Sequence, residues 1–586
     1  MSPTVSLRVD GQPITVERGR TVFQAAERLG KTPPHFCYHR DLSVPANCRM
    51  CLCEIKDNPK LQTSCSMIAA EGMEVSFESA RVREAVAGVL EFEFKNHPLD
   101  CPVCDQVGEC KLQQYYMEVG LYESELETPK IRKDKVKRLG KITLDAERCV
   151  LCSRCVRFGN EVTGTNDFVI VNRSDKAEIA TFDDRPITNP YSLNYADICP
   201  VGALTSTDFR FQRRVYYLDP VASVCPECSN GCSIFADRSL NQTFRFRPRV
   251  NPEVNDSWMC DEGRLSYKAW NTSRGRIERP LVRGSGRLVA ASWERAVQLL
   301  AERMRAAREA GGRVAALAHP RMTNEDLFVL RGLVTGMGGE VEFRLDGVHL
   351  KVDAPEDRLL RKLDKNPNTR GAMEILLGRE AAAAAPEAPE REPAAGFLQR
   401  IAAGGADVLL VARWDEDALG EAGVAAVERA GFVVFVGPWE PELSARCDLL
   451  LPSSRTGERD GTFTNFAGRV QVIREVLRPY GLARDPWAVL DAVGRELGME
   501  LAGASAAETF DRLAESVEAY RGLRFAELGS TGAWLGGVGG NGKGASFEPA
   551  GGGPADSGPL AAGAVSKQAA GGPGSMASVT GGRGAT

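Results

Sequence analysis

The uneven distribution of cysteine constrains the fold and function of this chain more than any other feature of its sequence. Of 17 cysteines among 586 residues, 16 lie before residue 261, and only Cys447 lies beyond it. The first residues, MSPTVSLRVDGQPITVERG, lack a basic stretch followed by an apolar run, so we expect no secretory signal. An odd number of crowded cysteines in a reducing compartment indicates metal binding or catalysis rather than a disulfide framework.

The first group of four cysteines has gaps of 10, 2 and 13 residues between its members. One tight C-x2-C pair with two flanking cysteines is typical of a [2Fe–2S] cluster. We predict that the ligands are Cys37, Cys48, Cys51 and Cys65. Cys53 follows Cys51 by two residues and shares its face if this segment is a strand, so it resembles a ligand without being one.

The second group has the pattern H-x3-C-x2-C-x5-C. Three cysteines leave one iron of a [4Fe–4S] cluster without a ligand, and an imidazole can take that place. A neutral imidazole makes the cluster less negative than a thiolate does, which raises its reduction potential, as in Rieske centres. A lone histidine is more often only a packed or exposed side chain, but this one of five heads a cysteine run. The predicted ligands are His97, Cys101, Cys104 and Cys110.

Two further groups each contain four cysteines. The third, C-x2-C-x2-C with a remote Cys-Pro, is the bacterial ferredoxin pattern for one [4Fe–4S] cluster, and the second C-x2-C-x2-C of a two-cluster ferredoxin is missing. The fourth, C-x2-C-x3-C-x27-C, also suits a [4Fe–4S] cluster. We predict the ligands Cys149, Cys152, Cys155 and Cys199 for the third group and Cys225, Cys228, Cys232 and Cys260 for the fourth.

Structural zinc is the alternative to iron–sulfur clusters, because four thiolates, or three thiolates and an imidazole, also bind zinc. That alternative fits any single group. The four groups together, with a ferredoxin Cys-Pro among them, favour one [2Fe–2S] and three [4Fe–4S] clusters. Cys53 and Cys447 are then the only cysteines without a predicted cluster.

Apolar periodicity and turn signals predict the surrounding secondary structure. Val5–Val9 and Ile14–Val16 form a hairpin around Asp10-Gly11, and beyond residue 275 strands alternate with helices, which predicts an α/β domain. Residues 380–396 are a predicted linker or surface insertion. The predicted helices are Thr21–Leu29, 80–97, Trp293–Ala307 and Gly420–Ala430, and the predicted buried strands are Arg313–Ala318, Asp407–Ala412 and Phe432–Val436.

Composition and weak motifs exclude several partners. The net charge of -5 argues against a nucleic-acid partner, and no run approaches the roughly 18 apolar residues that span a bilayer. GVGGNGKG at Gly537–Gly544 lacks the hydroxyl residue and the strand of a phosphate-binding loop. We find no dinucleotide-binding glycine motif after a strand, so a nicotinamide dinucleotide such as NADH is expected to bind another chain.

The order and spacing of the four groups resemble the large iron–sulfur subunit of bacterial NADH–quinone oxidoreductase, respiratory complex I. The matching segments are CYHRDLSVPANCRMC, NHPLDCPVCDQVGEC, RCVLCSRCVRF, ICPVGAL and CPECSNGC. The resemblance is strong over about residues 1–270 and weaker over 270–475. It implies that electrons arrive from a flavin subunit and leave toward quinone through further iron–sulfur subunits. It also implies that the fourth cluster lies off this path, and that the chain lies peripherally on the cytoplasmic side of the bacterial inner membrane.

The C-terminal half resembles the molybdopterin oxidoreductase family through RLVAASWERAVQLL and DGTFTNFAGRVQ. Molybdenum-binding members carry a lysine in C-x-K-G, whereas this chain has Cys260-Asp261-Glu262-Gly263. We also find no convincing molybdenum ligand, since Cys447 lies in the apolar run CDLLLP. These departures from the family pattern predict a cofactor-free scaffold without molybdopterin.

The sequence thus predicts an α+β multidomain fold with six regions. They are a β-grasp [2Fe–2S] ferredoxin-like domain (1–80), a [4Fe–4S] segment with one His and three Cys ligands (81–120), a [4Fe–4S] ferredoxin-like region (121–217), a [4Fe–4S] segment of molybdopterin-oxidoreductase type (218–275), a cofactor-free α/β domain of that family (276–530) and a disordered Gly/Ala-rich tail (531–586).

Other functions fit parts of the sequence. A subunit of an NAD-linked formate dehydrogenase predicts bound molybdenum or tungsten. The small electron-input subunit of an NAD-linked hydrogenase usually ends soon after the ferredoxin-like region, unlike this chain. A zinc-stabilised interaction protein without a redox role predicts a colourless preparation.

Overall fold

A computed structural model describes residues 3–120, 125–133, 136–343, 356–378, 394–412 and 420–536. Helices and strands are mixed in several packed units, in agreement with the predicted multidomain class. Among these residues, no helix is both long and apolar enough to cross a membrane. The predicted linker up to residue 393 and the tail from residue 537, with its glycine motif, lie outside the described residues.

The first unit is a five-stranded mixed sheet with one helix packed on it. Its sheet order is β2-β1-β5-β3-β4, with β1 parallel to β5 and the other pairs antiparallel. Asp10 and Gly11 have φ of 45° and 78°, which confirms the predicted two-residue hairpin turn. Its elements are β1 (Thr4–Val9), β2 (Gln12–Glu17), α1 (Val22–Arg28), β3 (Leu52–Ile55), β4 (Gln62–Thr63) and β5 (Glu74–Ser76).

A long helix, α2 (Ala80–Asn96), leads from this sheet to the second cysteine group. It begins at Ser79, whose side chain caps the amide of Val82, and it ends at His97. The helix buries Val82, Val86 and Leu90, which have i, i+4 spacing on one face, so the predicted helix over 80–97 is confirmed. After the cysteine loop, α3 (Lys111–Val119) packs against it.

Short elements carry the third and fourth cysteine groups. Three strands form the antiparallel sheet β10-β7-β6, β8 pairs with β9, and β11-β12-β13 form another antiparallel sheet. Most of the cysteines lie in loops between these elements. The elements are β6 (Val136–Leu139), β7 (Ile142–Asp145), α4 (Arg154–Arg157), β8 (Val169–Val171), β9 (Glu178–Ala180), α5 (Asn194–Ile198), β10 (Leu204–Ser206), β11 (Asp219–Val224), β12 (Ser233–Ser239), β13 (Gln242–Pro248), α6 (Asp261–Leu265) and α7 (Tyr267–Trp270).

A seven-stranded sheet organises the C-terminal half, in the order β15-β14-β20-β19-β18-β16-β17. From β20 to β17 the strands are parallel, and β16, β18 and β19 are buried along their whole length, as parallel strands covered on both faces require. The elements are β14 (Leu281–Gly284), β15 (Arg287–Ala290), α8 (Trp293–Glu309), β16 (Val314–Ala318), α9 (Asn324–Gly336), β17 (Glu340–Phe343), α10 (Thr369–Ala372), α11 (Ala394–Gly404), β18 (Val408–Ala412), α12 (Gly420–Arg429), β19 (Val433–Gly437) and β20 (Leu449–Pro452).

The end of the described chain corrects two sequence predictions. Residues 531–536, predicted as part of a disordered tail, contain a strand that pairs with Arg469 and Val470, and the Arg469 guanidinium lies 4.9 Å from the Trp534 ring centroid. The prediction missed the contact of Trp534 because the surrounding sequence is rich in glycine. Residues 394–396, predicted as linker, begin α11. The last elements are β21 (Gly461–Thr464), β22 (Arg469–Ile473), α13 (Pro486–Glu496), α14 (Ala506–Ser516) and β23 (Ala533–Trp534).

A buried ion-pair network joins segments of the C-terminal half. Glu458 accepts two hydrogen bonds of 2.8 Å from Arg276 and one of 3.0 Å from Arg455. The side chains of Arg276 and Glu458 are 0% and 2% exposed. A carboxylate at this depth is held by the two guanidinium groups, and they in turn depend on it.

We predict that Glu458→Gln lowers the free energy of unfolding of the C-terminal half by about 3–5 kcal/mol, because it leaves two buried guanidinium groups without a carboxylate. Chemical denaturation followed by circular dichroism measures this loss. Arg295→Met is the matched control: it breaks an exposed pair with Glu302 and should cost no more than about 1 kcal/mol. Equal stability of Glu458→Gln and wild type would contradict the prediction.

Candidate iron–sulfur cluster sites

The four cysteines of the first group converge at one place. The thiol of Cys37 is in hydrogen-bonding contact with Cys48 and Cys65, and the thiol of Cys51 contacts Cys65. The backbone amides of Phe36 and Cys37 each donate to Cys48 Sγ at 3.4 Å. The contacts with Cys48 and Cys65 lower the pKa of Cys37. The loop between α1 and β3 therefore supplies thiols and amide donors, the environment that a thiolate-bound cluster needs.

Cys53 is separated from this group although it lies two residues after Cys51. Its side chain is fully buried in the apolar core of the first sheet, with Val5, Leu7 and Val9. Burial raises the pKa of Cys53 to about 12, so it remains a neutral thiol. This position supports the prediction that Cys53 is a packed side chain and not a ligand.

The second group brings three cysteines to the start of α3. Cys101 begins a 3-10 turn, Cys110 precedes α3, and Cys101 and Cys104 both act electrostatically on Cys110. His97 ends α2, and Lys130 Nζ donates to its carbonyl at 2.9 Å. The pKa of His97 is lowered to about 4, and burial is the largest cause. The imidazole is therefore neutral, which is the form that binds metal.

The His97 side chain lines a cavity of about 370 Å³. Cys48 and Cys149, from the first and third groups, line the same cavity. The strongest electrostatic influences on His97 after burial come from Arg148 and Asp100. The structure thus places His97 at a cavity that reaches the first and third groups, and its ligation to the second cluster stays a prediction.

The third group encloses a small cavity of about 20 Å³. Burial raises the pKa of Cys155 and of the other three thiols. Leu151 and Ser153 have φ of 47° and 62°, a left-handed backbone that lets the C-x2-C-x2-C segment curl around the cavity. The lining consists of four cysteines, five apolar residues and two polar ones: Cys149, Cys152, Cys155, Cys199, Val150, Ile179, Val201, Ala203, Leu204, Ser153 and Arg154.

The fourth group is buried between β11, β12 and α6. Asn230 Nδ2 donates to Cys232 Sγ at 3.1 Å, and the Gly263 amide donates to Cys260 Sγ at 3.3 Å. A Cβ at Gly263 would lie 2.8 Å from Cys225 Sγ and 3.4 Å from Cys260 Sγ. The two thiols therefore approach the same point, and only glycine fits beside them.

A lysine does lie at the fourth group, although Glu262 occupies the position where the molybdenum-binding relatives carry one. Lys365 Nζ donates to Glu262 Oε2 at 2.9 Å. The same segment covers Cys228, because the Ser229 amide donates to the carbonyl of Asp364 at 2.9 Å. Sequence reasoning missed this lysine because 103 residues separate it from Glu262.

The first three groups share one buried apolar cluster. It contains Cys37 and Cys152, with Cys48, Cys110, Cys149 and Cys199 packed against it. A Cβ at Gly202, in the Cys-Pro segment of the third group, would lie 2.6 Å from Cys104 Sγ of the second. A second cluster contains Cys155 of the third group together with Cys225, Cys232 and Cys260 of the fourth.

Arg148 ties the second and third groups together. Its guanidinium donates to both carboxylate oxygens of Asp100, at 2.6 and 2.9 Å, and to Asp145 at 2.8 Å. Asp100 precedes Cys101, and Arg148 precedes Cys149. A bidentate pair of this kind fixes the relative orientation of the two side chains in addition to the charge attraction between them.

Across the described residues, no group of three or more His, Cys, Asp or Glu side chains is arranged to hold a metal ion. The ligands of a cluster surround several iron atoms and need not converge on one. The donor chemistry is nevertheless that of iron–sulfur proteins: buried or half-buried thiols, amide donors directed at sulfur and apolar walls.

Protein-family models agree with this assignment. A 2Fe-2S iron-sulfur cluster binding domain matches residues 2–80, the NADH-ubiquinone oxidoreductase-G iron-sulfur binding region matches 87–125, and the NADH-quinone oxidoreductase subunit 3 ferredoxin-like domain matches 140–205. Molybdopterin oxidoreductase matches 276–372 and 362–496. The chain therefore matches family models of [2Fe–2S] and [4Fe–4S] binding domains in its first half and of molybdopterin oxidoreductase in its second.

Its homologues include the G subunit of NADH-quinone oxidoreductase from Rickettsia felis, 36% identical over 57% of this chain and 49% of that protein. The G subunit from Streptomyces coelicolor is 39% identical over 55% of this chain and 38% of that protein. The mitochondrial NADH dehydrogenase [ubiquinone] iron-sulfur protein 1 of Solanum tuberosum is 37% identical over 60% and 47%, respectively. The chain spans about half the length of these relatives or less, and the resemblance found from the cysteine segments is confirmed.

Among solved structures, a chain of NAD+-reducing [NiFe]-hydrogenase in the H2-reduced state matches with 27% identity. The match covers 36% of this chain and 91% of that one, with a TM-score of 0.33. A score of this size does not establish a shared fold.

We predict that Cys53→Ala keeps the [2Fe–2S] electron paramagnetic resonance (EPR) signal and costs about 1 kcal/mol of stability, because only a packed thiol is lost. The neighbouring Cys51→Ala is the matched variant, and it should abolish or alter that signal. Loss of the signal from Cys53→Ala, with Cys51→Ala unaffected, would reverse the ligand assignment.

Proposed function

We propose that this chain is an electron-relay subunit of NADH–quinone oxidoreductase, complex I. It passes electrons from a flavin subunit toward quinone in neighbouring subunits, and it needs no NADH or quinone site of its own. The observation that carries this proposal is the single apolar cluster in which three of the four cysteine groups meet. Homology to the G subunits of that enzyme supports it.

The proposed ligand sets are those predicted from the sequence. One [2Fe–2S] and three [4Fe–4S] clusters supply reversible one-electron transfer when bound. The chain's own residues hold them, exclude water and set their charge surroundings, which are the means by which proteins tune such potentials. In this proposal the neutral His97 imidazole replaces one thiolate and removes one negative charge from the second site.

The first 80 residues are proposed as a β-grasp domain. A five-stranded mixed sheet in which the outer hairpin β1–β2 joins β5 in parallel, with α1 packed on it, supports that proposal. The regions from 81 to 530 are proposed with the boundaries given from the sequence, and the described chain continues beyond them with the strand Ala533–Trp534. Partners are the flavin subunit and further iron–sulfur subunits, on the cytoplasmic side of the membrane.

The C-terminal half is proposed as a scaffold without molybdopterin. Its contacts to the fourth group support a structural role: Gln471 Nε2 donates to the Gly231 carbonyl at 2.8 Å, and Asn465 Nδ2 donates to the Asn230 carbonyl at 3.1 Å. The match to molybdopterin oxidoreductase favours one rival, a subunit of a formate dehydrogenase. Stoichiometric molybdenum or tungsten in the purified protein would favour that rival.

We predict that Cys199→Ser abolishes most electron flow from NADH to quinone in the assembled complex, because it removes one of four thiolates from a buried site in the relay. Oxidation of NADH with a quinone acceptor measures the flow, and EPR measures the cluster. Cys447→Ser is the matched control: its buried thiol donates to the Leu443 carbonyl at 3.4 Å, a bond that a hydroxyl can also make. Wild-type turnover in Cys199→Ser would contradict the proposed relay.

A further inference from the structure

Two buried arginines of α4 hold the first domain against the third cysteine group. Arg154 and Arg157 flank Cys155 in the sequence, and each is 8% exposed. Arg154 donates to the carbonyls of Tyr38 and Ile198. Both arginines belong to the segment that carries the third group, yet each has a hydrogen-bond partner more than 100 residues away in the sequence.

Arg157 contacts the backbone of both groups with one guanidinium. Nη2 donates to the Cys37 carbonyl at 2.5 Å and to the Cys152 carbonyl at 3.5 Å. Nη1 donates to the Ser43 carbonyl, and Nε donates to Ser153 Oγ at 3.3 Å. Five N–H groups in a rigid plane can span two loops in this way, and an ammonium cannot.

The same loop is held from a second direction. Glu161, one turn after Arg157, accepts from the Ser43 amide at 2.8 Å and from its hydroxyl at 2.5 Å. Asn47 Nδ2 donates to the Leu151 carbonyl at 3.4 Å. The first loop is therefore docked on the third group through backbone contacts, and Arg157 bonds to a predicted ligand residue of each group.

We propose that Arg157 is a positioning residue for electron transfer between the first and third cluster sites. It fixes the separation of the two cysteine loops, and it places one positive charge between two sites that become more negative on reduction. That charge stabilises the reduced form of both clusters, so it raises both reduction potentials together. No bond is made or broken in this step, and one electron leaves one site as it enters the other.

This inference rests on the proposed function, and the experiment separates the two. The full chain is purified anaerobically in its complex as wild type, Arg157→Lys and Arg157→Met. Redox titration followed by EPR gives the midpoint potentials of the [2Fe–2S] and the Cys149–Cys199 clusters, and freeze-quenched samples give the rate of electron transfer between them. Arg185→Met, at an exposed arginine of the same region that lies over the Phe182 ring, is the matched control.

We expect Arg157→Met to shift both midpoint potentials downward and to slow transfer between the two clusters. Arg157→Lys should restore the potentials and not the rate, because it keeps the charge and loses the planar fork. Arg185→Met should match wild type. Unshifted potentials in Arg157→Met with both signals intact would overturn the inference, as would loss of a cluster from both Arg157 variants. Wild type without cluster signals would instead overturn the proposed function.

Discussion

The rest of this structure depends on one constraint: negative charge on buried sulfur must be compensated by the groups around it. A cluster with thiolate ligands is anionic, and taking charge out of water is costly unless hydrogen bonds and opposite charges surround it. Most cysteines of the third and fourth groups are buried. Amides donate to the sulfur atoms of Cys48, Cys149 and Cys260, and two arginines flank Cys155, so these groups lie where they would compensate such a charge.

That constraint explains why the four groups do not belong to independent modules. Arg148 joins the second group to the third, Arg157 joins the first to the third, and Gly202 brings a backbone against Cys104. The third group thus lies at the centre of the assembly, and the fourth depends on the C-terminal half, through Gln471. Each region is therefore held in place by contacts with its neighbours.

Local signals predicted much of this architecture. The Asp10-Gly11 turn, the apolar face of α2 and the buried strands of the parallel sheet all follow from periodicity and turn chemistry, which act within a few residues. The pairing of Lys365 with Glu262 and the bridge from Arg157 to Cys37 could not be predicted in this way, because they join segments about 100 residues apart. The strand at Ala533–Trp534 was missed because two bulky side chains, Trp534 and Leu535, stand in a glycine-rich window.

The central claim is that these groups hold iron–sulfur clusters and nothing else. Iron, acid-labile sulfide, zinc and molybdenum quantified on anaerobically purified protein test it most directly. One [2Fe–2S] and three [4Fe–4S] clusters predict about 14 irons per chain, with equal sulfide and neither zinc nor molybdenum. Zinc in place of iron would contradict the electron-relay account, and stoichiometric molybdenum would contradict the cofactor-free scaffold.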